Sequence, residues 1–424
     1  MLLEFRVQNY RSIRDEQVLS LVASNTDNEH PSHIAHTGIA SIGDCVRSAV
    51  IYGPNASGKS TLLLALNYMR AVIAESAAVV QPGQTYNVQP FKLDEGCINK
   101  PTIFEISFIF NGIRHQYSFA MNAERIISES LLLYKTRRPT EYFNRKLNAD
   151  GETYTYEFSS YLTGPKKLWQ ESTRSNALFL STGAQLNSDI LSPIFRWLTE
   201  NILYLPPGAG LVSELTGQML STDSGRGAIR DFLSSADIGI SNVEAVQRKT
   251  MHTQFVIKEG GVAQASPVES DVLVPIFEHS TKKGKAKFEL SDESQGTQRL
   301  YWLIAPFLDV LKNGRILVVD ELDASLHTLL VRKLIAMFND PNINKANAQL
   351  IFSTHDISLL DNSLFRRDQI WFVEKNQDQA TCLFPFTDFS PRKLEAWSRG
   401  YLTGRYGAVP FFPDEAEIAR EILG

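Results

Sequence analysis

Apolar and polar residues alternate from Leu2 to Gln8 (Leu-Leu-Glu-Phe-Arg-Val-Gln), the period-two pattern of a half-buried strand. Residues 17–22 predict its antiparallel partner, and the polar stretch 24–46, with its Asn, Asp, His, Pro and Gly, reads as a loop. Ser48-Ala49-Val50-Ile51-Tyr52 is a short apolar run that predicts a buried strand, and a helix is predicted over 61–79. Residues 86–158 are rich in β-branched and aromatic side chains. Within them, Ile103–Phe110 and Ile113–Phe119 flank Asn111-Gly112, the strongest short-range hairpin signal, and 126–135 and 152–158 extend the antiparallel sheet. Helical spacing follows, carried by Ile190, Leu191, Ile194, Phe195, Trp197, Leu198 and Ile202, then by Ile229, Phe232, Leu233 and Ile238. Short strands with polar turns are expected over 251–290. Beyond them the pattern alternates: helix 298–312, strand 315–319, helix 325–339, strands 349–353 and 369–374, and a terminal helix near 414–423. Such alternation predicts an α/β core with a parallel sheet.

The junction between the strand at 48–52 and the helix after it carries the clearest chemistry. Residues 53–60 read Gly-Pro-Asn-Ala-Ser-Gly-Lys-Ser, the G-x-x-x-x-G-K-[ST] phosphate-binding loop in its strand–loop–helix context. Gly53 and Gly58 let the backbone wrap with its N–H groups inward, so that Asn55, Ala56, Ser57 and Thr61 complete an anion nest at a helix N-terminus. Lys59 supplies a point charge to the β- and γ-phosphates of ATP, and Ser60 a hydroxyl to Mg²⁺.

A second half-site lies far downstream. Ile316–Val319 is an apolar run ending in Asp320 and Glu321, the pattern of a buried parallel strand with carboxylates at its carboxyl end. Asp320 is placed to bind Mg²⁺ through water and Glu321 to polarise the attacking water. His355 follows the next predicted strand, within reach of a γ-phosphate. Ser294 and Gly296 precede a helix and offer a second anion-binding end. Composition narrows the partners without changing this reading. A net charge of −5 gives no global pull toward nucleic acid. The three cysteines, Cys45, Cys97 and Cys382, are dispersed, which points to a reducing compartment and away from a zinc site. With no apolar run long enough for a span and no leader pattern at Met1, the expectation is a cytoplasmic protein without a membrane partner.

These elements, in this order, resemble the ABC-type ATPase head shared by the SMC, RecF and OLD proteins. The resemblance implies a P-loop NTPase fold: an α/β ABC-type head with an antiparallel β subdomain (86–158) and a helical insertion. It divides the chain into an N-terminal lobe (1–158), an insertion (159–250) and a C-terminal lobe (251–424). In that group Asp-Glu is followed by a D-loop, here Leu322 to Leu326 with Asp323, and by a switch histidine, here His355. Ser294-Gln295-Gly296-Thr297 matches the signature loop loosely, with Gln-Gly in place of Gly-Gly and Thr in place of Gln. Residues 5–13, Glu293–Thr297 and Tyr401–Pro410 further resemble a bacterial family of AAA-type ATP/GTP phosphatases that includes RloA-like proteins of defence loci. Arg11 matches the early basic residue that approaches the nucleotide phosphates in this superfamily.

The resemblance implies an ATPase with Glu321 and His355 as catalytic residues and ATP and Mg²⁺ as cofactors. It also implies an ATP-sandwich dimer or higher oligomer. The stretch after His355 is too short for the nuclease domain of OLD proteins, so the output is expected from a separately encoded effector, a nuclease or toxin, or from bound nucleic acid. The leading expectation is a sensor subunit of an anti-phage system; the alternative is a RecF-like repair ATPase that binds DNA across its dimer. A transporter ATPase fits the β-rich segments poorly.

Weaker signals carry less. His30, His33 and His36 flank Pro31 and read as a polar loop in preference to a metal site. Lys282-Lys283-Gly284-Lys285-Ala286-Lys287 reads as a solvated hairpin turn, with phosphate contact as the other reading. Gln185, after the strand-like Ala177–Leu180, is either the glutamine that watches Mg²⁺ or a polar helix start.

Overall fold

The computed structural model describes residues 1–208, 213–236, 239–257, 263–390 and 395–410. The predicted terminal helix near 414–423, and Ile238 in the helical pattern, lie outside them. The chain divides into two compact units. One comprises Met1–Pro207, Val310–Asp323 and Val331–Gly424; the other comprises Gly208–Asp309 and Ala324–Leu330.

The first unit opens with β1 (Leu2–Gln8) and β2 (Gln17–Ser20), then the short pair β3 (Ile34–Ala35) and β4 (Cys45–Val46). The strand β5 (Ser48–Tyr52) leads through the glycine loop into α1 (Lys59–Glu75), and α2 (Glu95–Ile98) is a single turn. The strands β6 (Thr102–Phe110), β7 (Ile113–Met121), β8 (Ile126–Tyr134), β9 (Thr140–Leu147) and β10 (Tyr154–Phe158) follow. Together with the N-terminal pair they build a seven-stranded antiparallel sheet in the order β10-β9-β8-β7-β6-β1-β2. The pattern-based reading missed β9, because Thr140-Glu141-Tyr142-Phe143-Asn144-Arg145-Lys146 carries polar side chains whose burial comes from the neighbouring strand and helix, not from the strand's own alternation.

Helices α3 (Lys166–Ser172), α4 (Phe179–Gln185) and α5 (Leu191–Glu200) precede β11 (Ile202–Leu205). Two expectations change here. Ala177–Leu180, strand-like by composition, instead runs into the start of α4. Its first amides, Phe179 N and Leu180 N, donate to the buried Glu129 carboxylate at 2.6 and 2.9 Å. Ile202, read as the end of a helical stripe, begins a strand that pairs in parallel with the one ending at Val319.

In the second unit, α6 (Ser213–Leu220) and α7 (Asp223–Ser235) precede β12 (Ile240–Ile257), β13 (Ala263–Thr281) and β14 (Gly284–Glu289). The first two strands form one long antiparallel ladder from Ile240↔His279 to Ile257↔Ala263. The helical insertion expected to reach residue 250 therefore gives way to strand at 240, and short strands give way to long ones. Phe277 is fully buried, edge-on to Tyr301 at 5.4 Å. The lysine run forms the turn between β13 and β14, where Lys285 pairs with Glu278 at 2.9 Å and Lys287 with Glu244 at 2.5 Å.

The chain continues through α8 (Gln295–Asn313), β15 (Ile316–Val319), α9 (Thr328–Asn339), β16 (Gln349–Ser353), β17 (Ile370–Lys375), β18 (Thr381–Pro385) and α10 (Trp397–Leu402). The six-stranded sheet has the order β11-β15-β16-β5-β17-β18, parallel except for β18. Its strands are apolar on both faces, as a sheet covered on both sides requires. Leu62, Leu66, Met69 and Ile73 of α1 join Phe5, Phe104 and Ile106 of the antiparallel sheet to Val318, Ile351 and Trp371 of the parallel one in a single core. The phosphate-loop helix is thus clamped between the sheets. Among the described residues no helix is long and apolar enough to cross a membrane.

Candidate functional site

The parallel register brings the carboxyl ends of β15, β16 and β5 side by side, with Val319 opposite Phe352 and Ser353 opposite Ile51. Ligands of open α/β sheets bind at this edge. It gathers Gly53–Thr61 from the β5–α1 junction, Asp320, Glu321 and Asp323 from the end of β15, and His355 from just past β16.

Close approach dictates both loop glycines. A Cβ on Gly53 would collide with the Val373 carbonyl oxygen, and one on Gly58, whose φ is +115°, with the Thr381 hydroxyl. Ala56 holds φ +61°, a conformation that costs an L-residue on the order of 1 kcal/mol and that recurs at functional loops. Asn55, Ala56 and Ser60 are exposed, whereas Ser57 is buried. Thr381 braces the loop from behind: its hydroxyl donates to Ser57 O at 2.9 Å and shares a 2.9 Å hydrogen bond with Ser12, which in turn reaches Thr61 at 3.3 Å. Neither Ser12 nor Thr381 stands out in the sequence, because each acts through strand neighbours far away in the chain.

Lys59 Nζ donates to the carbonyls of Gly53 and Pro54 at 2.7 and 3.0 Å. Burial pulls its ammonium down to about 8, against the opposing pull of Asp320, Glu321 and Asp323. The two half-sites, read separately in the sequence, therefore share one electrostatic environment.

Asp320 is 1% exposed. Its Oδ1 accepts the Ser353 hydroxyl at 2.5 Å, while its Oδ2 is buried and has no hydrogen-bond partner. A buried carboxylate oxygen without a donor is costly unless a ligand satisfies it. This orphaned atom, with the exposed Ser60 hydroxyl on the first turn of α1, fits a hard divalent cation that takes oxygen ligands. Glu321 is half-buried and holds φ +54°. Asp323 accepts His355 N at 3.3 Å through Oδ2 and keeps its buried Oδ1 unpartnered. The His355 side chain is exposed beside it. Tyr204, on β11, links this cluster to Arg11. Burial pushes its phenol up to about 12, Asp320 adds to that push and Arg11 opposes it. Arg11 is exposed, with φ +50°, and its amide is tied to Gln89 O at 2.7 Å.

Not every predicted site residue converges. Gln185 ends α4 and lines an open groove of about 470 Å³ with Ala74, Ala77, Ser181 and Phe195, at the far end of α1. At 1.5 Å per helical residue that is roughly 22 Å from the phosphate loop. Gln185 is therefore no metal ligand of this site; it is the polar end of a helix. Ser294 and Gly296 belong to the second unit. Ser294 caps α8, accepting Thr297 N at 3.2 Å, and Gly296 is small enough to pass the Ser325 carbonyl, where a Cβ would be too close. The histidine triplet does not converge on one centre: His30 and His33 stack at 4.7 Å, but His33 bonds Gln369, His30 bonds Asn362 O and His36 pairs with Asp44. Among the described residues no cluster of His, Cys, Asp and Glu could hold a metal ion by itself.

Tyr401 and Tyr406 are buried within their own unit. Both stack on Phe372, at 5.4 and 6.1 Å, and Tyr401 donates to Ala408 O at 2.6 Å while Ala408 N donates to Glu374 at 2.8 Å. The Tyr401–Pro410 motif is thus a self-closing cap on β17, beside the strand that enters the phosphate loop.

Comparison with known proteins adds the following. Residues 48–361 match the family described as "AAA domain, putative AbiEii toxin, Type IV TA system". No curated protein matches. Similar solved structures include an SMC head domain from Thermotoga maritima, at 14% identity, covering 91% of this chain and 98% of that one with a TM-score of 0.41. Another is an SMC head domain with an extended coiled coil, bound to the C-terminal domain of ScpA from Pyrococcus furiosus, at 12% identity, 91% and 97% coverage and a TM-score of 0.38.

Proposed function

From the premise that this chain belongs to the family described as AAA domain, putative AbiEii toxin, Type IV TA system, we propose that it is an ATP-hydrolysing sensor subunit of a bacterial anti-phage system of the abortive-infection type. It gates a separately encoded effector through ATP-dependent dimerisation. The observation that carries the nucleotide chemistry is the unpartnered Asp320 Oδ2, buried at the same sheet edge as the phosphate loop and within electrostatic range of Lys59.

The amides of the loop and the start of α1 bind the phosphates, and Lys59 exchanges the Gly53 and Pro54 carbonyls for β- and γ-phosphate oxygens. Ser60 and Asp320 would hold magnesium, which would supply positive charge beside the phosphates. Glu321 orients the water and His355 meets the γ-phosphate. Ser294 and Gly296 of a second copy close the site, so that occupancy by ATP becomes a change of assembly. Hydrolysis reopens the dimer.

The test is phage challenge of cells carrying the whole locus. Wild type should protect and Lys59→Ala should not. Undiminished protection with Lys59→Ala, or protection by this gene alone, would overturn the sensor-and-effector reading. Steeply salt-dependent DNA binding by the ATP-bound dimer would move the function to repair.

A further inference from the structure

We infer that Ser353 is a positioning residue of the nucleotide site, whose one hydroxyl orients the Asp320 carboxylate and holds the Glu321 backbone. The inference rests on the ATPase reading above and adds a residue to which the sequence motifs assign no role.

Ser353 ends β16 and is fully buried. The register explains its reach. Val319 pairs with Phe352, so the next residue on each strand, Asp320 and Ser353, emerges side by side. A hydroxyl has one proton to give. Ser353 gives it to Asp320 Oδ1 at 2.5 Å and accepts Glu321 N at 2.8 Å. Its backbone carbonyl also accepts Leu322 N at 3.1 Å. Three consecutive residues after β15 are thus tied to a single serine.

Two consequences follow. The hydrogen bond on Oδ1 fixes the Asp320 rotamer and leaves Oδ2 as the oxygen without a partner, the one available to a cation. The hydrogen bond from Glu321 N supports a left-handed backbone, φ +54°, that a glutamate does not adopt without compensation. Thr354, the next hydroxyl along the extended chain, projects to the opposite face, where its Oγ1 accepts Asp356 N at 3.0 Å. His355 lies two residues past the same strand, so one segment presents the γ-phosphate contact and sets the Asp320 carboxylate.

The test separates positioning from bulk structure. A fluorescent, non-hydrolysable ATP analogue is titrated onto the full chain in EDTA and again in Mg²⁺, and the factor by which Mg²⁺ tightens binding is compared among wild type, Ser353→Ala and Ser353→Thr. Ser353→Ala should keep its metal-free affinity to within about twofold and lose about tenfold or more of the metal-dependent gain, the scale of removing a group that orients a metal ligand. Ser353→Thr, which keeps the hydroxyl, should retain the gain, with thermal melting confirming that all three proteins are folded. A full metal-dependent gain in Ser353→Ala, or a folded Ser353→Thr that loses it equally, overturns the inference and leaves the ATPase reading intact. Wild type that binds no better than Lys59→Ala in either buffer overturns the ATPase reading and this inference with it.

Discussion

Lys59 is buried against the carbonyls of its own loop, and that placement makes nucleotide affinity depend on pH. Only the ammonium form pairs with phosphate, and in the free protein burial has lowered its proton affinity to about 8. Bound phosphates raise it again, so binding takes up a proton above that pH. ATP affinity should therefore be level below pH 8 and fall above it, by up to about tenfold per pH unit, in calorimetric titrations from pH 7 to 9.5. A level affinity across that range would mean that Lys59 stays charged in the free protein. Glu321 is tested by rate. Glu321→Gln should bind ATP and turn over about 10²-fold more slowly or worse, since the phosphate and metal contacts remain while the base is lost. Steady-state phosphate release at the wild-type rate would exclude Glu321 as the base. At this scale the phosphate loop and the Asp320-Glu321 pair were legible because their chemistry is contiguous along the chain. Ser353, Ser12 and Thr381 were not: each matters only through a partner on another strand.

Among the elements, α4 shows how a helix can depend on a distant side chain. Glu129, on β8, is fully buried and accepts Phe179 N, Leu180 N and the Tyr117 hydroxyl, while Arg145 lies 3.7 Å from it. Arg145 is itself fully buried, donating to Ala177 O at 2.6 Å and lying over the Tyr154 ring at 4.1 Å. Removing one member of such a pair strands the other charge in the core, which costs about 3–5 kcal/mol. Glu129→Ala should lower the unfolding free energy by that amount in urea titrations. Glu129→Gln, which keeps an acceptor, should cost less. Equal stability in all three proteins would show that packing alone holds α4. This network is why Ala177–Leu180 misread as a strand: the residues that start the helix are apolar, and the group that satisfies their amides is 50 positions away. The hairpin at Asn111-Gly112 was legible for the opposite reason, its turn chemistry being local.

For the whole molecule, the proposed dimer can be tested at the second anion-binding end. Ser294→Arg should leave ATP binding by the single chain intact and block closure, because a bulky cation would occupy the place of the partner's γ-phosphate. In the slow Glu321→Gln background, light scattering should show ATP-dependent dimers that vanish with this second change; equal dimerisation in both would sink the sandwich arrangement. The long β12–β13 ladder and the buried Tyr401–Tyr406 cap redirect the search for effector contacts. The tyrosines pack internally, which leaves Leu402, Thr403, Gly404, Arg405 and Pro410 as the exposed part of their motif.

What the sequence determined by itself is whatever depends on neighbours along the chain: the anion nest, the carboxylates ending an apolar strand, the hairpin turns and the alternation that announces a parallel α/β core. What only the tertiary structure decided is the strand order. Placing β16 between β15 and β5 put a serine beside an aspartate 33 positions away and brought Lys59 within electrostatic range of Asp320. It also left Gln185 at the wrong end of α1. The reason is physical. Backbone ladders and core packing pair residues across hundreds of positions, and period and propensity along one strand carry no record of which strand will lie beside it.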